Sequence, residues 1–121
     1  MLNLNHKKLK AWLLAIQLYK EVLLFVGKLP KEEIFNLPSQ IKRASLSISN
    51  NIAEGAAKRS KKEFIQFLYI AEGSLSEIDT LLELSVALNF LSVDLSASLF
   101  NTLENISKLI FGLIKKLDLQ Q

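Results

Sequence analysis

A chain of 121 residues suits one domain around a single core, yet half of its residues are hydrophobic and its mean hydropathy is +0.24, more than a lone small subunit readily shelters. Self-association is therefore expected. The chain carries +3 at pH 7 and no cysteine, which excludes disulfides and thiolate-held metals and fits a reducing cytoplasm.

The opening stretch, MLNLNHKKLK, has lysines but no signal-peptide cleavage pattern. A first helix is expected from about Asn5 to Val26, with Leu9, Trp12, Leu13, Ile16, Tyr19, Leu23 and Val26 as its core stripe. Its apolar runs, WLLAI and VLLFV, fall far short of the about 20 residues that a bilayer span needs. Gly27 and Pro30 should end it, the glycine by a left-handed cap. KEEIF, residues 31–35, suits a short turn. Asn36 is the expected cap of a second helix, with Pro38 in its first turn, where a missing N–H does no harm. Ile41, Ala44, Ile48 and Ile52 form its stripe. Ser60 and Glu63 make an S-x-x-E capping box, so a third helix starts near Lys61 and ends near Asn89. Phe64, Phe67, Leu68, Ala71, Leu75, Ile78 and Leu82 line its core side, and its length is about 40 Å at 1.5 Å per residue. Ser92 caps a fourth helix, with Asp94 in its first turn. Leu95, Leu99, Leu103, Ile106, Ile110, Leu113 and Leu117 carry it to the C-terminus.

Four long helices with short loops imply an all-α, antiparallel up-down-up-down four-helix bundle, one domain over residues 1–121. That topology brings the start of helix one, the second loop and the end of helix four to one end. Lys7, Lys8, Lys10, Lys58, Arg59, Lys61, Lys62, Lys115 and Lys116 gather there against Glu54, Glu63 and Asp118. Nine cations minus three acids give +6, which leaves −3 for the rest of a +3 chain. Lysines near helix C-termini favour the dipole, and surface lysines aid solubility. At helix N-termini, where Lys7, Lys8, Lys61 and Lys62 are expected, cations are unfavourable by about 0.3–1 kcal/mol each. Local stability does not account for those, whereas a polyanion does. Phosphate contacts would dominate, because the chain has no zinc knuckle and no RNA-recognition aromatic motif. Binding would be weakly sequence-specific and steeply salt-dependent.

Catalysis finds little support. His6 is the only histidine and lies near the terminus. Without a second histidine or a cysteine, nucleophilic triads are unavailable. Glu54, Glu63, Glu72 and Glu77 are present, but no Glu-x-x-His pair accompanies them, so neither a bundle metal site nor a cofactor is expected. Gly55 and Gly73 stand singly within helical patterns and make no phosphate loop. A glycine inside a helix costs about 1 kcal/mol against alanine. Gly73 and Ser74 are accordingly expected to face small residues of helix two, Ser45 or Ser49, at a close approach.

A polar stripe runs along helix two: Gln40, Arg43, Ser47, Asn51 and Glu54, at spacings of three, four, four and three. Helix three answers with Glu63, Gln66, Ser74 and Glu77. A solvated face explains such a stripe, and so does an assembly surface. The residues are short or amide-bearing, Arg43 suits a bidentate carboxylate contact, and Asn51 and Gln40 suit a register-setting role between subunits.

The segment Gln40–Leu91 carries the pattern Q-I-x-R-A-x-x-S-I-x-x-N-I-A-E-G, a basic loop, E-F, then A-x-G-S-x-x-E. The positions are Gln40, Arg43, Ala44, Ser47, Ile48, Asn51, Ile52, Ala53, Glu54, Gly55, Glu63, Phe64, Ala71, Gly73, Ser74 and Glu77. In this the chain resembles the bacterial four-helix-bundle proteins encoded in intervening sequences of 23S rRNA genes. Pro38, where threonine is common, and the generic tail after Leu117 are small departures. The resemblance implies a homopentamer arranged as a ring or barrel. It also implies similarity to accessory proteins of diversity-generating retroelements, basic barrels that associate with nucleic acid and a reverse transcriptase. Two readings follow. One is a pentamer that binds RNA or DNA through Lys58, Arg59, Lys61 and Lys62, supported by Lys7, Lys8, Lys115 and Lys116. The other is a protein-interaction scaffold without a nucleic-acid role. In neither is the protein an enzyme.

Overall fold

A computed structural model of the protein describes residues 1–31 and 36–120. A 3₁₀ turn at Asn5–Lys8 precedes α1 (Lys10–Val26), α2 (Leu37–Ala56), α3 (Lys61–Ala87) and α4 (Val93–Leu119). Each helix packs on its sequence neighbour, and α1 closes the bundle against α4. The α2–α3 pairing is the most extensive. All-α architecture and antiparallel four-helix topology follow from these contacts. Most of KEEIF lies outside the described residues.

Helix boundaries are set largely by local chemistry. The Glu63 N–H donates to Ser60 Oγ at 3.1 Å, and the Leu95 N–H donates to Ser92 Oγ at 3.1 Å. Both caps satisfy a first-turn donor, as their sequences require. α3 ends as expected near Asn89, whose φ of 62° is left-handed. The Asn89 N–H donates to the Val86 carbonyl at 3.0 Å and the Phe90 N–H to the Ser85 carbonyl at 2.9 Å, a Schellman ending with asparagine in place of glycine.

Three local expectations are corrected. α1 begins at Lys10 because Leu9 is extended (φ −81°, ψ 127°), so Lys7 and Lys8 lie in the preceding 3₁₀ turn rather than in a helical first turn. Gly27 stays right-handed at φ −64°, and α1 winds down through 3₁₀-type bonds from Lys28 and Leu29 instead. Asn36 occupies the N-cap position of α2 without a side-chain cap bond; its Oδ1 accepts from Gln40 Nε2 at 2.9 Å. Pro38 does sit in the first turn.

The core stripe of α2 is as expected: Ile41, Ala44, Ile48 and Ile52 are buried. Leu68, Ala71, Leu75, Ile78 and Leu82 of α3 and Leu99, Leu103, Ile106 and Ile110 of α4 join them. Phe64, Phe67, Leu113 and Leu117 are only half-buried, and Leu95 is exposed. On α1 the core face is Ala11, Ala15, Leu18, Val22 and Phe25. This is the expected stripe displaced by one residue, a rotation of about 100°. α1 is apolar on several faces, so periodicity does not fix its phase; small Ala11 and Ala15 turn inward, while Leu13 and Leu23 stay in water.

Polar groups also enter the core. Ser49, Ser85 and Ser96 donate to carbonyls within their own helices, at 3.1, 2.8 and 2.7 Å. Ser45 Oγ is fully buried without a partner. Between α1 and α4, the Glu21 carboxylate accepts from Thr102 Oγ1 at 3.0 Å and from Ser98 Oγ at 3.3 Å. These bonds tie the two outer members of the bundle in register.

Candidate nucleic-acid interface and polar seam

The basic end is built around a glycine. A Cβ on Gly55 would lie 2.8 Å from Phe64 Cδ1 and 2.9 Å from Phe67 Cβ, so the last turn of α2 touches the first turns of α3 only because Gly55 has none. This contact and the Ser60 cap fold the connection carrying Lys58, Arg59, Lys61 and Lys62 into a tight corner. Lys58 Nζ rests 5.3 Å from the centre of the Phe67 ring, a cation–π arrangement. Lys61 Nζ donates to the Gln120 carbonyl at 3.2 Å and so ties this corner to the end of α4, where Lys115 and Lys116 are exposed.

The N-terminal segment completes the end. Lys7 Nζ donates to the Leu2 carbonyl, and His6 meets Trp12 edge-on with ring centres 4.9 Å apart. Asn5 and His6 share a groove with Glu54 and Lys58. The fold thus brings all eight expected nucleic-acid-binding residues and Lys10 to one end; Lys7 is half-buried and the others are exposed. Among the described residues none of these cations forms an ion pair, the pairs found being Arg43–Glu77 and Lys108–Glu104. The dipole argument passes from Lys7 and Lys8 to Lys10, the first residue of α1, and holds for Lys61 and Lys62 in α3.

The polar stripe of α2 lies beside α3. Ser74 Oγ donates to Ser47 Oγ across the two helices at 2.8 Å, and Asn51 Nδ2 donates to the Ser47 carbonyl and hydroxyl at 2.7 and 2.9 Å. Arg43 approaches Glu77 at 4.0 Å through one nitrogen, and both are exposed, so this is a loose contact rather than a bidentate one. Gln40 bonds Asn36, and Glu63 serves the α3 cap. Glu54 and Gln66 face solvent. The Ser47–Ser74–Asn51 group thus forms a polar seam within the chain.

The expectation for Gly73 is wrong, whereas Ser74 does face a small residue of α2, Ser47 rather than Ser45 or Ser49. Nothing lies within 4 Å of a Cβ placed on Gly73, and the residue faces outward. The close approach between α2 and α3 belongs to Gly55, a glycine that the sequence pattern does not distinguish from Gly73. Also unforeseen are the exposed rings of Tyr69 and Phe111. Their signal was present in part, since both lie off the core stripes of their helices.

Among the described residues, no group of three or more histidine, cysteine, aspartate or glutamate side chains could hold a metal ion, and no helix is long and apolar enough to cross a membrane. Fold and end together define a four-helix bundle with a cationic pole. The model of the 23S rRNA-intervening sequence protein family matches residues 7–112, and the chain belongs to that family. It is also similar to a solved protein of unknown function from the S23 ribosomal protein family of Bacteroides thetaiotaomicron VPI-5482. The two share 25% identity and a TM-score of 0.79, over 87% of this chain and 98% of that one. No curated protein matches the chain.

Proposed function

We propose that the protein is a non-enzymatic homo-oligomer, a pentamer as the family resemblance implies, that binds RNA or DNA through its basic end with weak sequence specificity. The observation that carries this reading is the gathering of nine cations at one pole with no acid paired to any of them among the described residues. Lys10 and Lys62 lie at helix N-termini, where they oppose the dipole and have no compensating contact among the described residues, whereas Lys61 is partly accounted for by its bond to the Gln120 carbonyl. A phosphate backbone supplies the missing counter-charge. Self-association draws support from the leucines left in water on α1 and α3 and just after α3, among them Leu13, Leu23, Leu24, Leu84 and Leu88. Five poles of +6 would place +30 on one rim. A cytoplasmic location accords with this reading and with a chain free of cysteine.

Retention of RNA and of DNA is measured at low and at moderate salt, beside the oligomeric mass by light scattering. Tight retention that falls steeply with salt is expected. A protein that retains neither polymer at low salt overturns the reading. A partner captured equally well after nuclease treatment favours a protein-interaction scaffold instead.

A further inference from the structure

Two aromatic side chains stay in water on neighbouring helices: Tyr69 on α3 is 51% exposed and Phe111 on α4 is 64% exposed. Burying such rings ordinarily contributes strongly to folding, so two left outside on one surface ask for an occupant. They stand at one level of the bundle. The Lys61–Gln120 bond ties the start of α3 to the end of α4. From it, Tyr69 lies eight residues along α3 and Phe111 nine residues back along α4. At 1.5 Å per residue these are about 12 and 13.5 Å, so the rings agree in height to within a few ångströms.

Both rings also share a helix face with residues that line one groove. Ser76 and Ser107 line the cleft between α3 and α4. Tyr69 lies seven residues before Ser76 and Phe111 four after Ser107, spacings that return to the same helix face. Lys62, seven residues before Tyr69, and Lys115, four after Phe111, extend those faces to the basic end, and both are exposed. These faces therefore run from cations to a pair of rings and on to the cleft. Beyond the rings it is lined by Asp79 and by Glu104, which Lys108 pairs at 3.0 Å. A phosphate chain would meet these carboxylates as a barrier, so the favourable path is short.

We propose that Tyr69 and Phe111 receive an unpaired base from a single-stranded nucleic-acid segment whose phosphates rest on Lys62 and Lys115. This rests on the nucleic-acid reading above and narrows it to unpaired strands. A duplex buries the faces of its bases, whereas a single strand offers them to aromatic side chains beside a cationic track. The charge pattern favours this occupant, because a polyanion meets rings and unpaired cations together. Contact between copies of the chain is the competing outcome, which the oligomeric mass reads.

The test compares wild type with Tyr69→Ala, Phe111→Ala and Phe111→Trp, using anisotropy of a labelled oligouridylate and of a labelled duplex at fixed salt. Each alanine variant should weaken oligouridylate binding about 5- to 150-fold, the range of one base–aromatic stack. Duplex affinity and the salt slope should stay unchanged, because every cation is retained. Phe111→Trp should keep the affinity, and the oligouridylate should quench its added emission. Unaltered oligouridylate affinity in both alanine variants overturns the inference. So does an equal loss on the duplex, or a fall in oligomeric mass, which would assign the rings to contact between copies. If wild type retains neither nucleic acid, the underlying reading fails as well; if it retains both and the variants match it, only the ring assignment falls.

Discussion

Gly55→Ala and Gly73→Ala are the same chemical change in adjoining helices, and the structure gives them opposite signs. Alanine is favoured over glycine in a helix interior by about 1 kcal/mol, and both sites offer that gain. At Gly73 nothing opposes it, since a Cβ meets nothing within 4 Å. At Gly55 the new carbon would lie 2.8 Å from Phe64 Cδ1, 2.9 Å from Phe67 Cβ and 3.2 Å from the Phe64 carbonyl oxygen. Carbon pairs prefer about 3.5–4.0 Å, so the approaches to Phe64 Cδ1 and Phe67 Cβ are too short by at least about 0.6 Å. The Phe64 ring can swing aside; the Phe67 Cβ and the carbonyl are fixed to α3, so the helices must part. Overpacking of this kind costs about 1–3 kcal/mol, which leaves a net loss of up to about 2 kcal/mol after the propensity gain. Urea unfolding followed by helical circular dichroism, at one protein concentration, reads both variants. With a slope of about 2 kcal/mol per molar urea, Gly55→Ala should lower the midpoint by up to about 1 M and Gly73→Ala should raise it. A Gly55→Ala protein as stable as Gly73→Ala would refute the close-contact account of the basic corner.

Further outcomes follow from individual side chains. Ser45→Ala removes a buried hydroxyl without a partner, a group that typically costs about 1–3 kcal/mol, so the variant should be at least as stable as wild type; a lowered urea midpoint would contradict this. Ser60→Ala should lose about 1 kcal/mol as the Glu63 N–H is left without its acceptor, while Ser60→Asp retains most of the stability, both read as midpoint shifts. Arg43→Ala should barely change stability, its contact with Glu77 being loose and exposed, and Asn51→Ala should lower it modestly through removal of the Ser47 bonds. If the seam also sets subunit register, light scattering on these two variants should show a looser assembly with helix content kept; intact oligomers in both would confine the seam to the single chain.

The helix ends were legible wherever one side chain decides them. Ser60 and Ser92 cap as their positions imply, and Asn89 supplies the left-handed turn that closes α3. The core face of α2 was legible because its other faces are polar. The phase of α1 was not, since apolar side chains surround it and the inward choice of Ala11 and Ala15 depends on how closely the neighbouring helices approach. The glycines failed for a related reason. Gly55 and Gly73 look alike locally, and only the meeting of α2 with Phe64 and Phe67 separates them. The charged pole required only topology, so the sequence sufficed for it. The ring pair required the level of α3 against α4, a quantity set by packing across the bundle that no local spacing encodes.

Removal of the corner charges tests the central claim most directly. The variant carrying Lys58→Ala, Arg59→Ala, Lys61→Ala and Lys62→Ala is compared with wild type for duplex affinity across a salt series, once circular dichroism has confirmed its helix content. The account predicts weaker binding and a log–log salt slope shallower by about 0.9 for every phosphate that the variant no longer neutralises. A well-folded variant with wild-type affinity and an unchanged slope would contradict it.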